Sequence, residues 1–188
     1  MIRTIHCRGF GGAIHCRGFG GALALALVSL AAACAGSHGT YSDGHFVSDR
    51  AKYTFAPPAE GWVEVTLPTA NAAWHNPALA ASLMVNSHCE GVSDSPLEGL
   101  TSDLLMGMTE REILSQERVP ASKREALQTV ATGKLDGVPR KLELFVMKKD
   151  GCVYDIVLDA SPEHFESART AFAKVRDGFN VDARPDRG

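Results

Sequence analysis

Apolar and polar positions alternate through three runs, residues 125–135, 139–148 and 152–158, which are separated by Asp136-Gly137 and Asp150-Gly151. Period-two alternation sends successive side chains to opposite faces of a sheet, and Asp-Gly supplies the positive φ that a tight hairpin needs. The pattern predicts an antiparallel meander. Leu142, Leu144 and Val146 share one face of its middle strand, and Tyr154, Ile156 and Leu158 lie on the side of Cys152 in the last. Upstream, Tyr53-Thr-Phe55 and Trp62–Leu67 read as strands on either side of a Pro57-Pro58 turn, with Trp62 expected to close one end of the core. Ala72–His75 reads as a short third strand. In Ala80–Cys89, Leu83, Val85 and Cys89 fall on one face and Ser82, Asn86 and His88 on the other, so Cys89 is expected to face the core.

Two stretches switch to helical spacing. Ser95-Pro96-Leu97-Glu98 predicts a helix start with Ser95 as N-cap, Pro96 at the first helical position and Glu98 completing a capping box. Leu97, Leu100, Leu104, Leu105 and Met108 then recur at steps of one, three and four. Such a stripe ordinarily faces a core, and a ligand groove is its alternative. Ser161-Pro162 opens a second helix in which Phe165, Ala168, Phe172, Val175 and Phe179 form an aromatic stripe, ending at Asp177-Gly178. Arg111–Pro120 fits a strand and a helix end equally well. Strands, helix, meander and terminal helix together make an α+β class, an antiparallel sheet with two amphipathic helices packed against it.

The N-terminal segment has a different pattern. Residues 1–21 carry Arg3, Arg8 and Arg17 without an acidic residue and run into the apolar stretch 22–33, which is signal-peptide anatomy. The apolar run is about a dozen residues, short of the roughly 20 needed to span a bilayer. It ends Leu30-Ala31-Ala32-Ala33-Cys34, which resembles the bacterial lipobox, except that Leu30 stands one place further from the cysteine than in the commonest form. The resemblance implies cleavage before Cys34, acylation of that cysteine, and a domain tethered to a membrane on the periplasmic side of the cell envelope. The alternative is cleavage at an ordinary Ala-x-Ala site, leaving Cys34 an incidental thiol. Within the leader, Ile5–Ala13 is repeated identically as Ile14–Ala22, two short copies that read as a local duplication and not as a stacked repeat architecture. His6, Cys7, His15 and Cys16 in that repeat would leave with it.

The expected organisation is a cleaved signal peptide (1–33), a flexible Gly/Ser/Asp-rich tether (34–50), one α+β domain (51–181) and a loose tail (182–188). Loss of the leader lowers the basic count from 19 to 16 against 22 acidic residues, a formal charge of −6 on residues 34–188. That charge, with no basic run longer than two residues, argues against a nucleic-acid partner. Two cysteines then remain beside Cys34. In an oxidising compartment Cys89 and Cys152 read as one disulfide, with two buried free thiols as the alternative.

Tyr53-x-Phe55, Pro58, Gly61-Trp62 and the C-terminal helix ending in Gly178-Phe179 make the order of elements over residues 53–180 similar to the PsbP/DcrB-like group of lipoproteins and assembly factors. The resemblance implies an accessory role in envelope maintenance or complex assembly, without a shared catalytic site. Residues 34–188 contain no Gly-x-Ser-x-Gly, no His-Glu-x-x-His and no phosphate-binding Gly-rich loop, so the chain is expected not to be an enzyme and to need no cofactor. His75 and His88, with Asp155 and Glu90 near them, are the best metal candidates if neighbouring strands bring them together; solvated histidines are the alternative, and Asp155 is expected to be exposed or paired with Lys or Arg. The functional expectation is a lipid-anchored, non-enzymatic module that binds an envelope protein. Its alternative is a periplasmic carrier of a small apolar ligand.

Overall fold

The structure is a computed structural model that describes residues 39–92 and 94–182. A seven-stranded antiparallel sheet forms its centre. In chain order its strands are β4 (Val63–Glu64), β5 (Ala72–Asn76), β6 (Ala81–His88), β7 (Thr109–Ala121), β8 (Arg124–Leu135), β9 (Val138–Lys149) and β10 (Cys152–Ala160). In space they run β4-β5-β6-β10-β9-β8-β7, so the meander β7 to β10 makes one side of the sheet and β6 joins it against β10. Asp136-Gly137 and Asp150-Gly151 turn the β8–β9 and β9–β10 hairpins with φ of 49° and 80°, and 53° and 78°.

Helix α1 (Leu97–Leu104) lies on one face of this sheet and α2 (Phe165–Asp177) on the other. Leu97 and Leu105 pack with Leu127, Leu142, Leu144, Val146, Val153 and Val157. Phe165, Ala168, Phe172 and Val175 of α2 pack with Phe145, Met147, Tyr154, Ile156 and Leu158. β8, β9 and β10 are thereby covered on both faces, which explains their near-continuous burial.

Beside α2 sits a second sheet, β1 (Thr40–Ser42), β2 (His45–Val47), β3 (Lys52–Thr54) and β11 (Asn180–Val181), in the order β1-β2-β3-β11. Its Phe46, Tyr53 and Phe55 join the α2-side core with Trp74, Tyr154 and Phe179. The Tyr53 hydroxyl donates to Asn71 Oδ1 at 2.9 Å, and the same oxygen accepts from Ser87 N and Oγ, pinning the small sheet to the large one. Burial pushes the Tyr53 phenol well above its ordinary value.

Several expectations change. The segment read as a loose tether contains the β1–β2 hairpin, turned by Asp43-Gly44, because Tyr41 and Phe46 have an aromatic core to enter. Trp62–Leu67 supplies only the two-residue β4, with Val63, Val65 and Leu67 exposed, since it is the sheet's outermost strand; Trp62 packs on the core half-buried. Arg111–Pro120 belongs to the edge strand β7. Helix α1 starts with Pro96 as N-cap and no side-chain cap, while Glu98 turns outward to Arg118. Helix α2 begins at Phe165, after a turn through Ser161–His164. Gly178 is needed for closeness and not for positive φ, as a Cβ there would stand 2.7 Å from Ala56 N. Of the expected loose tail only Asp182 lies within the described residues.

Candidate functional site

Cys89 and Cys152 form a disulfide with 4.1 Å between their Cα atoms. The register explains it: His88 pairs with Val153, so the next residues outward on β6 and β10 face each other across the strand pair. Cys152 is buried, as is the rest of its face. Cys34, the expected lipidation position, and the leader repeat lie outside the described residues.

The metal candidates are not brought together. His75 is opposite Ser82, its Nδ1 3.2 Å from the serine hydroxyl, whereas His88 lies six residues further along β6, about 20 Å away at strand rise. Glu90 pairs with Arg50. Among the described residues no three His, Cys, Asp or Glu side chains are grouped to hold an ion. Asp155 is not exposed and has no Lys or Arg ion pair among the described residues: it lies on the α1 side of β10 between Asn86 and Val146, 9% exposed. Burial pushes its carboxyl up to about 6, a rise that the nearby His88 opposes.

Of the large sheet's two open edges, β4 and β7, the longer is β7. β7 is 13 residues long, pairs only with β8, and is exposed over almost its whole length. Register shifts between Thr109 and Glu112 and between Ile113 and Ser115, together with Pro120, interrupt it in the ways that protect natural edge strands from open-ended pairing. Those same shifts leave Ile113 and Leu114 consecutive and exposed. With Leu104 and Met106, the latter 73% exposed, they form a run of uncovered apolar residues from the end of α1 into β7. Ile113 lines a small cleft with Leu105 and the buried Thr101, joining the run to the α1 core.

Two larger clefts flank the β7–β8 hairpin. One, of about 620 Å³, lies between the hairpin and α2, floored by Phe145, Phe179 and Val119 and walled by Arg169, Arg176 and Gln128. At its base Glu143, wholly buried on β9, accepts from Arg169 Nε at 2.7 Å and from Gln128 at 2.6 Å, and Arg176 donates to the Gln128 carbonyl oxygen at 3.1 Å. The other, of about 700 Å³, opens on the α1 side between the hairpin tip and the start of α1. Sequence reasoning missed both, since each is assembled from elements far apart in the chain.

No family model matches the chain, and neither does any curated protein. Among solved structures, the chain is similar to the cyanobacterial PsbP protein CyanoP of Synechocystis sp. PCC 6803, at 16% identity over 80% of this chain and 96% of that one, with a TM-score of 0.51. It is likewise similar to LpqN of Mycobacterium tuberculosis, described as involved in cell envelope biogenesis, at 12% identity over 71% of this chain and 86% of that one, with a TM-score of 0.52. At such identities the likeness is one of fold: the domain has a PsbP-like architecture of antiparallel sheets and two helices, richer in strand than the α+β expectation. No helix of the described residues is long and apolar enough to cross a membrane.

Proposed function

We propose that the protein is a lipid-anchored, non-enzymatic accessory module of the bacterial cell envelope, which docks another envelope protein along the β7 side of its large sheet. The uncovered run Leu104, Met106, Ile113 and Leu114 carries this reading. Exposed large apolar side chains that follow one another along a chain segment leading into a sheet edge are a normal feature of a protein interface. The bulges and Pro120 favour side-chain docking over simple strand addition. A carrier of a small apolar ligand would need a deep apolar pocket, whereas both larger clefts are rimmed by charged side chains. PsbP-like architecture and an envelope-biogenesis protein of similar fold support the accessory role. The signal anatomy and Cys34 support the anchor.

The test is site-specific photocrosslinking in the bacterial host, with the crosslinker at Leu114 or Met106 and, as control, at the exposed Val138. A discrete protein adduct from the first two positions alone, abolished by Ile113→Glu, supports the reading. Adducts equal at all three positions, or none at any, overturn it. Intact mass of the processed protein tests the anchor separately: added acyl mass on a chain beginning at Cys34 is expected, and an unacylated product removes the anchor from the proposal.

A further inference from the structure

We infer that the cleft between the β7–β8 turn and the start of α1 binds a phosphate-class oxyanion, whether a free phosphate or the phosphoryl group of a lipid headgroup. Four cations reach this cleft from separate places in the fold: Arg118 from β7, Lys123 from the turn, Arg124 from the start of β8 and Lys148 from β9. On a domain whose formal charge is −6 this is a local reversal of sign. Lys123 and Arg124 are exposed and form no ion pair among the described residues. Arg118 and Lys148 are held in place by groups of the cleft's own lining and its margin, Arg118 by Glu98 at 2.7 Å and Glu125 at 3.4 Å, Lys148 by Asp94 at 3.3 Å and the Ser95 carbonyl at 3.1 Å. Asp94 and Glu125 are solvent-exposed at the rim, where water screens their repulsion of an anion.

Two features set the walls of the cleft. Its far wall is the start of α1, Pro96 and Leu97, beside which the first-turn Glu98 accepts from its own backbone N–H and from Arg118. The other is the turn. Three hairpins of this domain use Asp-Gly at 43–44, 136–137 and 150–151, but the β7–β8 turn puts Ser122 and Lys123 at φ of 44° and 64° without a glycine. A left-handed backbone is unfavourable for such residues, and strain of this kind collects where a side chain has work to do. Ser122 Oγ accepts from Val181 N at 3.0 Å, fixing the strained tip to β11 and leaving Lys123 to project at the cleft.

The experiment uses the full chain in non-ionic detergent, titrated with inorganic phosphate by calorimetry, and floated with vesicles of phosphatidylglycerol or phosphatidylcholine. Lys123→Asn with Arg124→Gln removes two cleft charges while keeping a residue that accepts the left-handed backbone. Lys52→Ala with Lys174→Ala removes two charges elsewhere. Saturable phosphate binding that falls at least about tenfold in the first variant and not in the second supports a free-phosphate site. Absence of phosphate binding, with a preference for phosphatidylglycerol vesicles lost only in the first variant, supports the headgroup. No preference for either probe, or equal losses in both variants, overturns the site.

Discussion

Arg169 of α2 donates to both carboxylate oxygens of Glu143 on β9, at 2.7 and 3.2 Å, joining the helix to a strand on which the carboxylate has no access to water. This pairing raises the guanidinium's affinity for its proton, and Gln128 supplies the remaining donor. An ion pair in such a place is informative through its asymmetry: the desolvation cost of Glu143 is met only while its partners are present.

Replacing Arg169 with Ala should therefore destabilise the domain by about 3 kcal/mol, since a buried carboxylate is left short of its charged partner. Glu143→Leu combined with Arg169→Leu should recover most of that loss, because neither charge then needs compensation. Urea unfolding of the three proteins checks it. A double variant as unstable as Arg169→Ala would mean that the pair's packing, and not its charge, holds α2 in place.

The Cys89–Cys152 bond closes a loop spanning a sequence separation of 63 residues, containing α1, β7, β8 and β9. On the chain-entropy model, opening it should cost roughly 4 kcal/mol. Cys89→Ala with Cys152→Ala should lower the unfolding midpoint markedly, and wild-type protein treated with a reductant should match the variant. Equal midpoints with and without the bond would show that cross-strand pairing alone constrains this loop.

How far the chain's pattern foretold this depends on the kind of signal. β8, β9 and β10 were legible because Asp136-Gly137 and Asp150-Gly151 punctuate them and because Leu142, Leu144 and Val146 keep strict alternation. The β1–β2 hairpin carries the same signal in Asp43-Gly44, flanked by Tyr41 and Phe46, but its Gly/Ser-rich composition reads as tether. β7 has no legible period because both its faces are exposed, so burial imposes none. Asp155 reads as a solvent-side residue only if β10 has a solvent side; α1 removes it. The basic cleft was beyond reach, since Arg118, Lys123 and Lys148 meet only after the meander folds.

Asp155 should make stability fall as pH rises. Its folded pKa of about 6 lies above the ordinary value of 3.8, so the folded protein binds the proton more tightly than the unfolded chain does. Stability from this group is present below about pH 4 and is lost as pH climbs through about 6, by about 3 kcal/mol at 1.36 kcal/mol per unit. Asp155→Asn should flatten that part of the stability profile and unfold at higher urea than wild type at pH 7. A wild-type curve with no descending limb between pH 4 and 6 that the substitution removes would refute the assignment.

Lys123 offers a separation of stability from binding. Its φ of 64° in a turn without glycine is a conformation that costs an L-residue roughly 1–2 kcal/mol, and glycine occupies it without that penalty. Glycine also loses more chain entropy on folding, so the net gain from Lys123→Gly should be below that figure, about 0.5–1 kcal/mol. The variant should therefore unfold at a higher urea concentration while binding phosphate or anionic vesicles more weakly. A residue retained for stability would behave oppositely, losing both together. Gain of stability with unchanged anion binding would leave the strained turn without the chemical purpose assigned to it, and would place recognition on Arg118, Arg124 and Lys148 alone.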